Sequence, residues 1–375
     1  MGSRKNWGQQ PWKVDFAPSR QELPATVDYA IVGGGFSGLT AAAWLKTLAP
    51  EKTVALFEAD NVGAGSSGHT GGVALAESAV GDLPGLGDVL AGYQAILQEL
   101  AVDGDLVLPG VYELGRTDPM KDSPIRWRDS GDLCVVKQVP GGTINPGKVL
   151  AGLARAAEHA GVLLFEYAAV SEVRFSGCLT LLSAVGMTQP SGILFATNAF
   201  GLDLNSMQGR VQPAFTTALM TESLSDEVIA KIGLAERKPF YTIDLPYLWG
   251  RFLGDAVIFG SGLVFVENSE GLNALDVDEG ETLELLDRLQ KRIARFHPAL
   301  HEVNFTHRWG GPICFAEDWK PVFEHHPKSK DAIILGAFAG HGVAQSVYMG
   351  AWAAEALLGK RELPNWKSTS STVPY

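Results

Sequence analysis

Cysteine is scarce in this chain. There are three in 375 residues, Cys134, Cys178 and Cys314, and none forms a C-x-x-C pair. That spacing excludes a thiolate zinc site and a disulfide framework and fits a reducing cytoplasm, the expected location. Positive charge is also in deficit: 30 Lys and Arg stand against 42 Asp and Glu, for a net charge of −12. Nucleic acid and anionic membrane surfaces select for basic patches, so neither is expected as a partner. No apolar run approaches the ~18 to 20 residues that span a bilayer. The opening stretch, Met1 to Gln21, is polar and lacks the apolar segment of a signal peptide. Also missing are a Ser/His/Asp arrangement, a pair of catalytic carboxylates, internal repeats and a metal-ligand cluster. The adjacent His325 and His326 read as a solvated loop pair, so no metal is expected. At 46% hydrophobic residues the chain can still bury a large core, in two domains or in one with a substantial insertion.

What is present starts at Asp28. Tyr29 to Val32 is a short apolar run without polar alternation, as in a central parallel strand, and Leu39 to Leu48 has the Ala- and Leu-rich pattern of a helix packed on it. Between them Gly33, Gly35 and Gly38 stand in G-x-G-x-x-G spacing. The first allows a tight turn, the second lets backbone approach a pyrophosphate, and the third lets helix and strand sit close. A pyrophosphate would then meet the unpaired N–H groups and positive dipole end of the helix. Thr53 to Phe57 reads as a second buried strand, and Glu58 follows Gly38 by 20 residues, near the spacing at which a carboxylate takes the adenosine ribose hydroxyls. A carboxylate there disfavours a 2′-phosphate, so a dinucleotide other than NADP is expected.

After the second strand comes Asp60 to Val73, a loop of glycines and small hydroxyl residues suited to crowding around a ligand. Further on, Asn145 suits a helix cap and Pro146 a first turn, which predicts a helix over 146–160. Gly161 to Phe165 reads as a returning strand, and Glu279 to Phe296 as a long polar helix. Near the C-terminus, Asp331 to Val343 repeats the order of buried strand, glycine turn and helix start, with the helix expected over 344–358.

These motifs together resemble the FAD-dependent D-amino-acid oxidase superfamily, in the branch with glycine oxidase, sarcosine oxidase, dimethylglycine dehydrogenase and gamma-glutamylputrescine oxidase. The resemblance rests on the glycine fingerprint with Glu58, the loop from Ala64 to Gly72, Gly142-Thr-Ile-Asn-Pro146, Ile193 to Ala199, and Phe338-Ala-Gly-His-Gly-Val343. It implies an α/β fold: a Rossmann-like, glutathione-reductase-type FAD domain with an inserted α+β substrate domain on an antiparallel sheet. The FAD domain would be discontinuous, over 25–82, 141–207 and 305–360, and the substrate domain would occupy 83–140 and 208–304. An arm, 1–24, pinned by Trp7, Trp12 and Phe16, and a loose tail, 361–375, would flank them.

By the same resemblance FAD would be held by Gly33, Gly35, Phe36, Ser37, Gly38, Glu58 and Ala59, and by Ser66, Ser67, His69, Thr70 and Gly72 of the loop. Val173 would support the adenine and Thr197 would lie beside the cofactor. Gly340, His341, Gly342 and Val343 would point a helix N-terminus at the flavin, where negative charge gathers on reduction. His69 stands where the dimethylglycine dehydrogenase pattern has a histidine bonded to the flavin, which makes covalent attachment an expectation; a noncovalent contact is the other reading. Cys314 is a rival attachment point by analogy with sarcosine oxidase, but its offset is short and a buried inert thiol is expected.

On the substrate side the resemblance implies Arg251, Tyr247, Trp249 and His341, with Tyr241, Trp309 and Trp319 nearby. Arg251 would clamp a substrate carboxylate, or else form a surface ion pair. Tyr247 and Trp249 share a strand face by period 2. The implied activity is oxidation of a C–N bond in a small amine or amino acid by hydride transfer to FAD, with oxygen or a carrier as acceptor. The stretch Ala256 to Ser261 lacks the lysine that sarcosine oxidases use for oxygen, which points to a poor oxygen reaction. Two alternatives remain open: a flavoprotein acting on a C–O or C=C bond, and an electron-transfer module without a small substrate.

Overall fold

A computed structural model of the protein describes residues 5–366. The chain opens with β1 (Thr26–Val32), α1 (Phe36–Leu48), β2 (Val54–Phe57), the single turn α2 (Ser66–His69) and β3 (Val73–Leu75). It continues with α3 (Val89–Glu99), β4 (Val111–Gly115), β5 (Arg126–Asp129), β6 (Gly131–Val139), β7 (Gly141–Thr143), α4 (Pro146–His159) and β8 (Leu163–Phe165). Next come β9 (Val170–Arg174), β10 (Thr180–Ser183), β11 (Gly186–Phe195), β12 (Val211–Thr221), α5 (Asp226–Lys231), β13 (Phe240–Thr242) and β14 (Trp249–Leu253). The last part holds β15 (Ala256–Phe265), α6 (Ser269–Asn273), α7 (Gly280–Phe296), β16 (Phe305–Ala316), β17 (Val322–His326), β18 (Ser329–Gly336) and α8 (Gly342–Leu357).

The first sheet runs β17-β18-β11-β1-β2-β8, parallel from β18 to β8, with β9 and β10 extending β11 as an antiparallel flap. Its pleat divides the core. Ile31, Leu56, Leu194, Ile333 and Leu335 face a layer of α1, α3, α4 and α8, while Ala30, Val32, Ala55, Phe57, Ile193, Phe195 and Ile334 join the cluster on the other side. Both faces are therefore apolar, which is why these strands read as continuous hydrophobic runs. α4 begins where Pro146 and Asn145 place it, the Asn145 side chain accepting from the Lys148 amide at 3.2 Å.

The second sheet, β16-β12-β15-β14-β13-β4-β6-β5, is antiparallel except where β4 meets β13. α7 covers it, burying Leu286, Leu289, Ile293 and Phe296 at helical spacing. Under α7 the fully buried Trp127 stacks on Phe296 at 5.1 Å and meets Phe240 edge-on at 5.1 Å.

Three expectations are corrected. β16 pairs along its whole length with β12, so 305–316 belongs to the second sheet, and the chain returns to the first only at β17. Periodicity cannot reveal a strand's partner, and here the partner decides the layer. The second correction is the chain beyond Gly359. It is docked at least to residue 366: Trp366 is buried against Trp352 at 5.9 Å, and the Trp352 indole donates to the Glu362 carbonyl at 2.8 Å. Residues 367–375 of the expected tail lie outside the described residues. Third, His325 and His326 sit on β17 rather than a loop. His326 is buried, stacked on Phe175 at 4.3 Å and bonded to Ser206 Oγ at 2.9 Å. The N-terminal arm is fastened as expected: Trp7 and Trp12 are buried, and residues 7–9 hydrogen-bond the free edge of β16.

Trp127→Ala removes the largest side chain beneath α7 and is expected to cost about 3–5 kcal/mol of stability. Denaturant unfolding of the flavin-loaded protein measures it; a loss under about 1 kcal/mol would mean the α7 layer repacks.

Candidate active site

The turn from β1 into α1 depends on two backbone approaches. Gly33 has φ +110°, and a Cβ on Gly38 would lie 1.9 Å from the Gly33 carbonyl oxygen, so no side chain fits between helix and turn. This seats the N-terminus of α1 at the C-terminal edge of the parallel sheet, where its N-cap residue, Gly35, has no side chain to cap it. Glu58, just after β2, accepts from the Gly34 amide at 2.7 Å and the Asp60 amide at 3.0 Å. Burial pushes its carboxyl above the usual range, and those two amides oppose the shift. Across the turn, Ser67 Oγ accepts from the Phe36 amide at 3.0 Å.

A second uncapped helix start faces the same space, because α8 begins at Gly342 after Gly340 and His341 without a side-chain cap. The two starts border one cavity of about 630 Å³. Gly35, Phe36 and Ser37 line it from α1, and Gly340, His341, Gly342 and Val343 from α8. Ser66, Ser67, His69 and Thr70 line it from α2, and Tyr247 and Trp249 from the second sheet. A dinucleotide with a flavin needs phosphate donors at one end and a positive dipole end near the ring, so these residues fit the group.

His69 is neutral and oriented. Its Nδ1 meets the Gly65 carbonyl at 2.9 Å; a carbonyl only accepts, so Nδ1 carries the proton and Nε2 keeps its lone pair. Burial pulls the ring down to about 4. Trp7 packs edge-on against it at 5.2 Å, and the Trp309 indole donates to its carbonyl at 3.1 Å. A Cβ on Gly311 would fall 2.5 Å from His69 Cβ, so β16 reaches this close only through a glycine. His341 is held alike, with Nδ1 on the Ala339 carbonyl at 3.1 Å and burial pulling its ring below the usual histidine range. Cys314 lines the cavity as a buried thiol pushed far up by burial, which keeps it in the neutral, unreactive form.

Several expected residues lie elsewhere. Gly33, Gly38 and Glu58 shape the turn behind the cavity wall, with Ala59 next to Glu58, and none of the four lines the cavity. Val173 pairs with Leu181 in the β9–β10 flap, away from the cavity. The Thr197 hydroxyl is taken by Asn205 at 2.9 Å; its neighbour Asn198 lines the cavity, donating to Ser66 Oγ at 2.9 Å and accepting from the Ala337 amide at 2.9 Å.

Arg251 corrects the substrate-clamp expectation. It is 3% exposed and outside the cavity wall, and its Nη1 donates to the carbonyls of Ile144 and Gly72. Burial pulls the guanidinium down to about 10, and among the described residues it forms no ion pair. Its role is to tie β14 to the loops around β3 and β7, which also explains the backbone position of Gly72.

The aromatic wall is built on glycines that the sequence reading passed over. A Cβ on Gly71 would lie 2.0 Å from the Trp249 ring and one on Gly260 2.1 Å from it, so the indole slots between two bare backbones. Arg292 bonds Asp129 through two nitrogens at 3.0 and 2.7 Å and donates to the Tyr247 carbonyl at 2.7 Å, fixing that end of the wall. Tyr241 lines the cavity as expected, and its hydroxyl lies 2.7 Å from each of two carboxylates that no motif pointed to, Glu77 and Glu113.

The chain belongs to the FAD dependent oxidoreductase family named DAO, whose model matches residues 28–356. It is 24% identical over 365 residues to the glycine oxidase of Geobacillus kaustophilus, covering 86% of this chain and 90% of that protein. It is 23% identical over 383 residues to the gamma-glutamylputrescine oxidoreductase of Escherichia coli, covering 90% of this chain and 85% of that protein. Among solved structures, L-proline dehydrogenase from P. horikoshii superposes with a TM-score of 0.72 at 18% identity, covering 91% of this chain and 96% of that one. The protein is thus an FAD-dependent oxidoreductase. Among the described residues no helix is long and apolar enough to cross a membrane, and no cluster of three or more His, Cys, Asp or Glu is arranged for a metal.

Arg251→Met is expected to lower thermal stability and leave the Michaelis constant within about twofold of wild type, since the carbonyls of Ile144 and Gly72 lose a donor at a cost of about 1–3 kcal/mol. A KM rise of tenfold or more with unchanged stability would restore the carboxylate-clamp role.

Proposed function

We propose that the protein oxidises a C–N bond of a small amine or amino acid. The observation that carries this reading is one cavity bordered at once by two uncapped helix starts and by the aromatic wall of Tyr241, Tyr247 and Trp249. FAD, when bound, supplies a two-electron acceptor for the hydride leaving the carbon next to nitrogen. The protein's own work is then to bind, orient and exclude water. The α1 start and Ser67 would hold phosphate oxygens, the α8 start would favour negative charge on the ring system, and the aromatic wall would remove water from the amine so that it stays neutral. This division of labour needs no nucleophile or acid–base pair. Two curated relatives carry glycine and gamma-glutamylputrescine in their names, which supports a nitrogen-bearing substrate.

His69 is the residue proposed to bind the flavin covalently. Its ring is neutral, with Nδ1–H spent on Gly65, so Nε2 is the atom available for a bond. Acid precipitation of freshly purified protein should leave the flavin in the pellet, with a peptide containing His69 carrying the mass of FAD. Release of all the flavin into the supernatant would reduce His69 to a noncovalent contact.

The reaction class is tested by anaerobic titration with a panel of amines, amino acids and 2-hydroxy acids. Bleaching of the flavin band by nitrogen compounds alone is expected; bleaching by the hydroxy acids alone would move the reading to a C–O bond.

A further inference from the structure

One part of the cavity wall has an unusual charge arrangement. Glu77 follows β3, Glu113 lies in β4 and Tyr241 in β13, and the Tyr241 hydroxyl lies 2.7 Å from a carboxylate oxygen of each. A phenol has one proton and satisfies one carboxylate. The other contact requires a further proton, or a cation close by to hold two carboxylates together. Among the described residues neither Glu77 nor Glu113 forms an ion pair; the third acid on the wall, Asp244, is already paired with Arg116. No lysine or arginine lines the cavity among the described residues.

A second observation points to a ligand here. The Ser346 hydroxyl of α8 lines the cavity, belongs to a residue only 5% exposed, and has no hydrogen-bond partner. α8 packs against β3, the strand that leads directly to Glu77. The rings of Tyr247 and Trp249 line the same cavity and give it an apolar surface suited to a short methylene chain.

We propose that the cavity selects an amine with a second cationic group, an ammonium at the far end of a short alkyl chain received by Glu77, Tyr241 and Glu113; this rests on the C–N oxidation read above. An ammonium brings three donors and the positive charge that the trio lacks. A substrate carboxylate at the same place would meet two acids and, among the described residues, no lysine or arginine. The wall therefore rejects amino-acid tails as well as welcoming cationic ones.

Three length-matched compounds test this with the FAD-loaded protein under anaerobic conditions: 1,4-diaminobutane, butylamine and 4-aminobutanoate. Binding is read by calorimetry and by perturbation of the flavin visible band, and turnover by bleaching. The diamine is expected to bind about tenfold or more tighter than butylamine, with 4-aminobutanoate weakest. In the Glu77→Gln, Glu113→Gln double variant the diamine-to-butylamine affinity ratio should fall to near one. If that variant does not fold, the near-isosteric Tyr241→Phe should narrow the ratio. The proposal is overturned if the diamine binds no tighter than butylamine, if 4-aminobutanoate binds best, or if the ratio survives in the variants. Selective diamine binding with no bleaching by any amine would leave cation recognition standing and sink the C–N oxidation reading instead.

Discussion

The absence of a side chain at Gly38 governs the geometry of the molecule. With the Gly33 carbonyl 1.9 Å from where a Cβ would be, α1 lies on the β1 turn at a separation no other residue allows. That contact aims the first N–H groups of α1 past the sheet edge, places Gly34 against Glu58, and brings Phe36 to Ser67. A shift of α1 by the width of a methyl group would disturb all three. The neighbours of α1 inherit the constraint: α4 and α8 pack on its flanks, and Gly350 of α8 meets the Ser37 backbone so closely that a Cβ would lie 2.6 Å from the Ser37 carbonyl. Both helix starts are therefore registered to each other through glycine contacts rather than through adjustable side chains.

The second layer meets the first through α2 and β16. His69 lies under Gly311, its carbonyl takes the Trp309 indole proton, and Trp12 donates to Gly68 one residue earlier. The cavity is bounded by helix starts, aromatic rings, carboxylates and two histidines. Groups that favour an anion and groups that favour a cation thus line a single chamber.

What the sequence displayed were the features made locally. The β1–α1–β2 unit with Glu58, the Asn145 cap, the period of α7 and the start of α8 all follow from neighbours a few residues apart. Features made by distant partners were not legible. Nothing near Arg251 announces that its fork ends on Ile144 and Gly72. Tyr241 is 164 residues from Glu77 and 128 from Glu113, so their cluster exists only after folding. Gly71 and Gly260 look like ordinary loop and strand glycines until the Trp249 ring is seen between them. The membership of β16 in the second sheet has the same cause, since a strand's hydrophobic pattern does not name its partner.

The two helix starts also set a timetable. During synthesis the α1 turn emerges roughly 300 residues before the α8 turn that completes the chamber, and domains form as units only once their distant segments are present. Over that interval the growing chain has one of the two helix starts that border the cavity and lacks the other. The arm of residues 7–16, made first, must in turn wait for β16 before it has an edge to join. Completion of the chamber is thus a late event in the making of this chain.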